Sequence, residues 1–358
     1  MKRGILPRIV FCLALLTSLQ CPGQASPQEL SAATPDARED ARPDPHWLPL
    51  IARLAGDGMD RERMTQVFSE LGPWSPVFMA AKVQELYGSR LGAGAQVKAL
   101  PEHESPRPAG YMPPTAGGFE GAKALLAGHA PLLAEVYKRY GTPPALIAAV
   151  FLLESDMGHE LGDTLALHAL ASMAATNTPE QALQGIEGYS PPSPALRKDM
   201  EKTIRERAAR AYTELCALIR YCEAGGIDML LLPGSIYGAI GLCQFMPGNI
   251  SLYGVDSGKK GMIDLFGVPD AAHSIGNFLK AHGFSEKLPI KNQVEVLRRY
   301  NHSDSYAALA LGLSYQLAGK RAPAELPMFA AVGGPRKAWW PKARPAYRLP
   351  SLGSYKIP

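Results

Sequence analysis

The chain has 358 residues, 46% of them hydrophobic, with 37 Lys and Arg against 33 Asp and Glu for a net charge of +4. That length suits roughly two domains of about 150 residues each, and the apolar share is enough for a real core. The charge is too mild to argue for nucleic acid, which a concentrated basic face would signal.

Lys2, Arg3 and Arg8 precede the apolar run IVFCLALLTSL, and the small residues of GQA follow at 23–25. This is the order of a secretory signal peptide, 1–25, removed near Ala25. The run is shorter than the about 20 residues that a membrane helix needs. Gln20 argues against lipid attachment at Cys21, where a small residue should precede the cysteine. Removal leaves Cys216, Cys222 and Cys243, an odd set that cannot form a complete disulfide framework; whether one bridge forms stays open. Cys216 and Cys222, six apart on a predicted helix, face different sides, and all three read as small buried hydrophobes.

Residues 26–45 are rich in Pro, Ala and charge and read as a linker. Helical pattern runs from Trp47 to about Leu91, and 100–118 reads as a crossing loop. GFEGAKALLAGHAPLLAEVYKRYG then predicts one amphipathic helix ending at Gly141. In TPPALIAAVFLLESDMG, Thr142 suits the N-cap, Pro143 the first turn and Gly158 the stop. This helix is apolar on all sides, so it should be buried at the centre of its unit. A long charged helix closes at Gly225 and Gly226, a turn-rich segment covers 232–262, and DAAHSIGNFLKAHG and SYAALALGLSYQLAG are helical. No long alternating pattern marks a strand, so the fold class is mainly α. From Lys320 the chain turns Pro-rich and basic, with Glu325 its only acid. It reads as a tail draped over the domain or as a basic, aromatic arm, with Trp339 and Trp340, that touches anionic wall or lipid; composition favours the first.

Glu154 is the anomaly, a carboxylate at the end of an apolar helix. Apolar surroundings and the negative end of the helix dipole both disfavour its charged form and raise its pKa. A carboxyl still protonated near neutral pH can act as a general acid. Asp156, two residues on, is about 200° around the helix and does not face the same cleft. The competing account is a structural glutamate bonded to backbone, and the pattern alone does not decide between them.

Three motifs in order, YGTPPALIAAVFLLESDMG, GSIYGAIGLCQFMPGN and RYNHSDSYA, resemble the lytic murein transglycosylase B family, with weaker likeness from about 47 to 318. The resemblance implies a lysozyme-like α+β catalytic domain at 126–319, with an additional helical region at 46–125 packing on it. It implies cleavage of peptidoglycan glycan strands at the β-1,4 bond between N-acetylmuramic acid and N-acetylglucosamine, leaving 1,6-anhydro-muramic ends. Glu154 would be the catalytic residue. Ser235, Gln244 and Met246 would line the cleft, and Tyr300, Asn301 and Tyr306 would close it, with Asn301 and Tyr306 facing the reacting sugar. The plainer account of these stretches is a Gly-rich turn with Phe245 in the core, and a helix cap at Ser303 or Ser305. No cofactor or nucleic acid is implied, protein partners stay open, and the localisation is exported, in the periplasm or cell envelope.

Departures from the family qualify this. Cys243 replaces a small residue or proline. Some relatives carry a calcium loop where this chain has VDSGKKGMIDLFGVPD; Asp256, Asp264 and Asp270 remain, but Gly258 and Lys260 occupy other ligand positions. Calcium needs six to eight oxygens, so no bound metal is expected. Pro179, Glu180 and Gln181 replace a Pro-Arg-Arg run, which puts the usual contacts to the peptide stem in doubt, and 183–196 looks inserted. Two alternatives remain: a catalytically silent wall-binding scaffold, and a hydrolytic muramidase with Asp264 as its second carboxylate.

Overall fold

The computed structural model describes residues 42–98 and 116–326. The expected signal peptide, most of the linker, most of the crossing loop and the tail from 327, with Trp339 and Trp340, lie outside these residues.

The chain begins with helices α1 (Leu48–Gly56), α2 (Arg61–Glu70) and α3 (Val77–Leu91), whose buried sides carry Leu50, Leu54, Met64, Phe68, Phe78 and Val83. Trp47 is fully buried and donates its indole N–H to Gly72 O at 2.8 Å, which folds α1 back over α2. The two-residue strand β1 (Gln96–Val97) follows.

The single amphipathic helix expected at 118–141 is two helices, α4 (Ala116–Gly128) and α5 (Ala130–Tyr140). Pro131 explains the break: it cannot donate a backbone hydrogen bond and is at home in a helix's first turn. Gly141 then ends α5 in the left-handed conformation, at φ 73°.

Helix α6 (Pro144–Ser155) is the buried centre, with every residue from Ala145 to Leu152 inside. Its start differs from expectation. Pro143 is the N-cap, and Thr142 is wholly buried, its Oγ1 without a hydrogen bond among the described residues.

Strand β2 (Thr164–Leu165), α7 (Ala166–Ala175), α8 (Pro179–Leu183) and strand β3 (Ile186–Glu187) come next. The segment that looked inserted therefore supplies β3, which pairs antiparallel with β1. Helix α9 (Pro194–Gly225) is started by Ser193, whose hydroxyl accepts from Leu196 N, and ends at Gly226 with φ 63°. Strand β4 (Pro233–Gly234) pairs antiparallel with β2.

Helices α10 (Pro247–Tyr253), α11 (Val268–Ala281), α12 (Ile290–Tyr300) and α13 (Asp304–Leu317) complete the described chain. Helix α13, buried from Tyr306 to Ser314, lies along α6, while α4, α5 and α11 cover other sides of it. One continuous apolar cluster runs through all these helices. No helix among the described residues is long and apolar enough to cross a membrane.

Candidate active site

Glu154 occupies the last turn of α6, and the chain beyond it turns abruptly. Asp156, Met157 and Gly158 take φ values of 42°, 63° and 91° in succession. Left-handed backbone costs a non-glycine residue on the order of 1 kcal/mol or more, so other contacts must hold Asp156 and Met157 there. Ser155 supplies one set. Its buried Oγ lies 3.1 Å from Phe151 O and 3.0 Å from Leu242 O, and accepts from Gly158 N at 3.1 Å. Asp156 supplies another, since its carboxylate rests against the first turn of α4, so closely that a Cβ on Gly118 would collide with Oδ1. A negative group is favourable at that positive helix end.

The Glu154 side chain is half-buried by its accessible surface, yet protein crowds the carboxyl. Burial pushes its pKa up to about 7, while the Tyr306 hydroxyl nearby favours the charged form and pulls the other way. The resemblance set Tyr306 against the sugar. Its ring is fully buried, with the hydroxyl near the glutamate. Tyr306 stacks nearly parallel to Tyr300, with centroids 6.3 Å apart and planes 9° apart. Tyr300 spends its own hydroxyl on Cys243 O at 2.6 Å.

Cys243 stands at the tip of a tight hairpin closed by reciprocal bonds between Ile240 and Phe245. Its buried thiol is pushed up, first by desolvation and further by the charge of Glu154 nearby. Gln244 adopts φ 45° and donates its side-chain amide to Gly241 O at 3.0 Å and Leu161 O at 3.3 Å, so it holds the hairpin shut. Gly241 is required at φ 74°, because a Cβ there would run into the backbone of Leu265. Phe245 is core, as expected, tilted against Phe278 and Tyr300 at 5.8 Å each. Met246 caps α10 from a half-buried position on the apolar cluster.

Ser235 closes its own turn, its Oγ accepting from Tyr237 N at 3.3 Å and Ala239 N at 3.1 Å. Asn301 ends α12 with its carbonyl accepting from Ser303 N at 2.7 Å, and Ser303, one of the two expected caps, starts α13 by accepting from Tyr306 N. The structure thus gathers Glu154, Tyr306, Tyr300 and the Cys243 hairpin at one place, while Ser235, Gln244 and Met246 shape the loop beside it.

Contacts that no sequence signal marks also build the site. Glu214 of α9 accepts from Gly248 N at 2.7 Å and so anchors the start of α10. Tyr237 donates to Glu85 of α3 at 3.0 Å, tying the Ser235 turn to the N-terminal helices. A cavity of about 420 Å³ opens at the start of α6, between Pro144, Phe284 and Tyr315. It is at the opposite end of the helix from Glu154, roughly 15 Å away by helical rise.

The acidic loop does not fit calcium. Asp270 is buried and takes Ser257 N at 2.9 Å and Asp264 N at 2.8 Å. Asp256 takes Lys260 N and Gly261 N, and Asp264 takes Phe266 N and Gly267 N. The Lys260 stem crosses Gly258, its Cε 3.1 Å from where a side chain there would begin. Glycine and lysine thus stand where oxygen ligands are needed, and no group of three potential metal-binding side chains occurs among the described residues. At the other departure, Glu180 pairs with Arg197 at 2.6 Å and Gln181 completes a capping box with Thr178.

The mainly helical fold is lysozyme-like, as in the SLT transglycosylases. Residues 47–296 match the family described as the transglycosylase SLT domain, and the chain belongs to it. It is 31% identical over 152 residues to the membrane-bound lytic murein transglycosylase B of Escherichia coli K12; the match covers 42% of this chain and 35% of that relative. Among solved structures it is similar to the E. coli lytic transglycosylase SLT35 in complex with bulgecin A, at 19% identity and TM-score 0.55, covering 82% of this chain and 98% of that one. It is also similar to SltB3 of Pseudomonas aeruginosa in complex with NAG-anhNAM-pentapeptide, at 19% identity and TM-score 0.55, covering 76% and 79%.

Proposed function

We propose that this chain is a peptidoglycan lytic transglycosylase that cleaves the β-1,4 bond between N-acetylmuramic acid and N-acetylglucosamine. The observation that carries the reading is Glu154, at the end of the buried central helix with its pKa raised by burial to about 7. At neutral pH such a group exists substantially as acid and as base, which suits one residue to both halves of the reaction.

Glu154 gives its proton to the glycosidic oxygen as the bond to muramyl C1 breaks. The carboxylate so formed then takes the proton of the muramyl C6 hydroxyl while that oxygen bonds to C1, giving the 1,6-anhydro ring and restoring the acid. No water is consumed. Because the nucleophile belongs to the substrate, a large effective molarity replaces the second carboxylate of a hydrolase. The Tyr306 hydroxyl nearby favours the carboxylate between the two steps. Ser235, Gln244, Met246, Tyr300 and Asn301 form the wall that receives the sugars.

Family membership and the peptide-bearing sugar ligands of SltB3 support this substrate class, strands carrying short peptides. The hydrolytic alternative is weaker, since Asp264 already serves two amides of its own turn. Export to the cell envelope follows from the substrate and from the order of residues 1–25. The test is mass analysis of material released from purified sacculi. Anhydro-muropeptides are expected; reducing ends would mean a muramidase, and no release would mean a silent binder.

A further inference from the structure

Between α3 and α9 runs a groove of about 360 Å³ lined by Leu86, Tyr87, Thr203, Glu206, Arg207 and Arg210. Its walls are fastened to each other by a Tyr87–Thr203 hydroxyl contact of 2.7 Å and an Arg90–Asp199 ion pair of 3.3 Å. Two other arginines of α9 are paired, Arg197 with Glu180 and Arg205 with Glu201, while Arg220 lies outside the groove. Arg207 and Arg210, three residues apart and so on one face, have no ion-pair partner among the described residues, although Arg207 is half-buried. A guanidinium held partly out of water without an anion is costly, and its planar fork suits a carboxylate.

The groove adjoins the candidate active site through Tyr237. That side chain, two residues beyond Ser235, bonds Glu85 of α3, lies 4.3 Å under the Lys82 ammonium and feels the charge of Arg207. The turn that faces the sugars thus leans on the groove's rim. Residues 179–181 offer no cation for a substrate carboxylate, and Arg197 beside them is already bound to Glu180.

We propose that this groove binds the peptide carried by the muramyl sugar, with Arg207 and Arg210 receiving its carboxylates and Glu206 receiving an amine. The inference rests on the reading of the substrate given above. The occupant is zwitterionic because the groove is: two guanidiniums and one carboxylate fit a peptide that carries several acids and one amino group. Three to five extended residues reach roughly 10–17 Å, which lets the peptide extend away from the sugar that carries it.

The test compares wild type with Arg207→Ala/Arg210→Ala on two substrates, peptide-bearing strands and strands stripped of peptide by an amidase. An equilibrium-binding arm uses the free tripeptide L-alanyl-γ-D-glutamyl-diaminopimelate. The double variant is expected to raise KM about tenfold on peptide-bearing strands only, with kcat kept, and to lose tripeptide binding. Lys at both positions should recover part of the loss. Equal KM for wild type and variant on peptide-bearing strands, or an equal rise on both substrates, overturns the proposal. Should wild type cleave neither substrate, the transglycosylase reading fails instead. Tripeptide binding then decides the groove alone: binding lost in the variant supports it, and binding kept, or absent from wild type, overturns it.

Discussion

Tyr306, from the first turn of α13, brings its hydroxyl close to Glu154 in the last turn of α6. The two helices lie against each other, so the interface that stabilises the core also sets the protonation of the acid. Burial favours the neutral carboxyl and the tyrosine favours the charged one. The balance falls at about 7.

Replacing Glu154 by Gln is expected to keep the fold and lower turnover of sacculi by about 10²–10⁴-fold, since the amide has the same shape and no proton to lend. It should also change stability with a definite sign. Between the ordinary carboxylate range and about 7, the folded protein holds a proton that the unfolded chain has lost. Wild type therefore loses stability as pH rises through that window, by about 1–2 kcal/mol once solvent access to this half-buried group is allowed for. The variant should lack that slope, which denaturant titrations at pH 4 and pH 8 would reveal.

Tyr306→Phe removes the hydroxyl whose influence lowers the Glu154 pKa. The alkaline limb of the kcat profile, expected near pH 7 in wild type, should move upward. The maximal rate should fall about tenfold, as the intermediate carboxylate loses a donor. A limb that stays in place would show that another group titrates there.

Gly118→Ala tests the support behind the acid. A methyl there meets both Asp156 Oδ1 and Leu152 Cδ1, an overpacking that should cost about 1–3 kcal/mol and lower Tm by several degrees. Activity should fall in step, because Asp156 follows Glu154 by two residues.

Calcium should leave Tm unchanged, as should a chelator, because the carboxylates of Asp256, Asp264 and Asp270 already hold the loop's own amides. A rise of several degrees with millimolar calcium would contradict the fit described for Gly258 and Lys260.

Much of α6 was legible in the sequence because its composition leaves few alternatives: an unbroken apolar run cannot lie on the surface, and a glutamate at its end must be paid for by function or by partners. The hairpin around Cys243 could be placed by motif. What stayed hidden depends on tertiary contact. Ser155 reads as an ordinary helix-end serine, and only the fold brings Leu242 O to it, 87 residues away in sequence. The Thr142 cap failed because Pro143 takes the position itself, and the two-residue strands are too short to leave a pattern. The burial of Tyr306 was hidden as well, since no pattern distinguishes an exposed tyrosine at a helix start from one packed into the core.

The left-handed stop after Glu154 also makes the acid's bearing a matter of counting. Each residue turns a helix by 100°. Deleting one alanine between Pro144 and Glu154, with the Ser155 anchor retained, would therefore swing either the carboxyl or the whole greasy stem out of register. Side chains in this neighbourhood can be exchanged one for another far more readily than the stem can be lengthened or shortened.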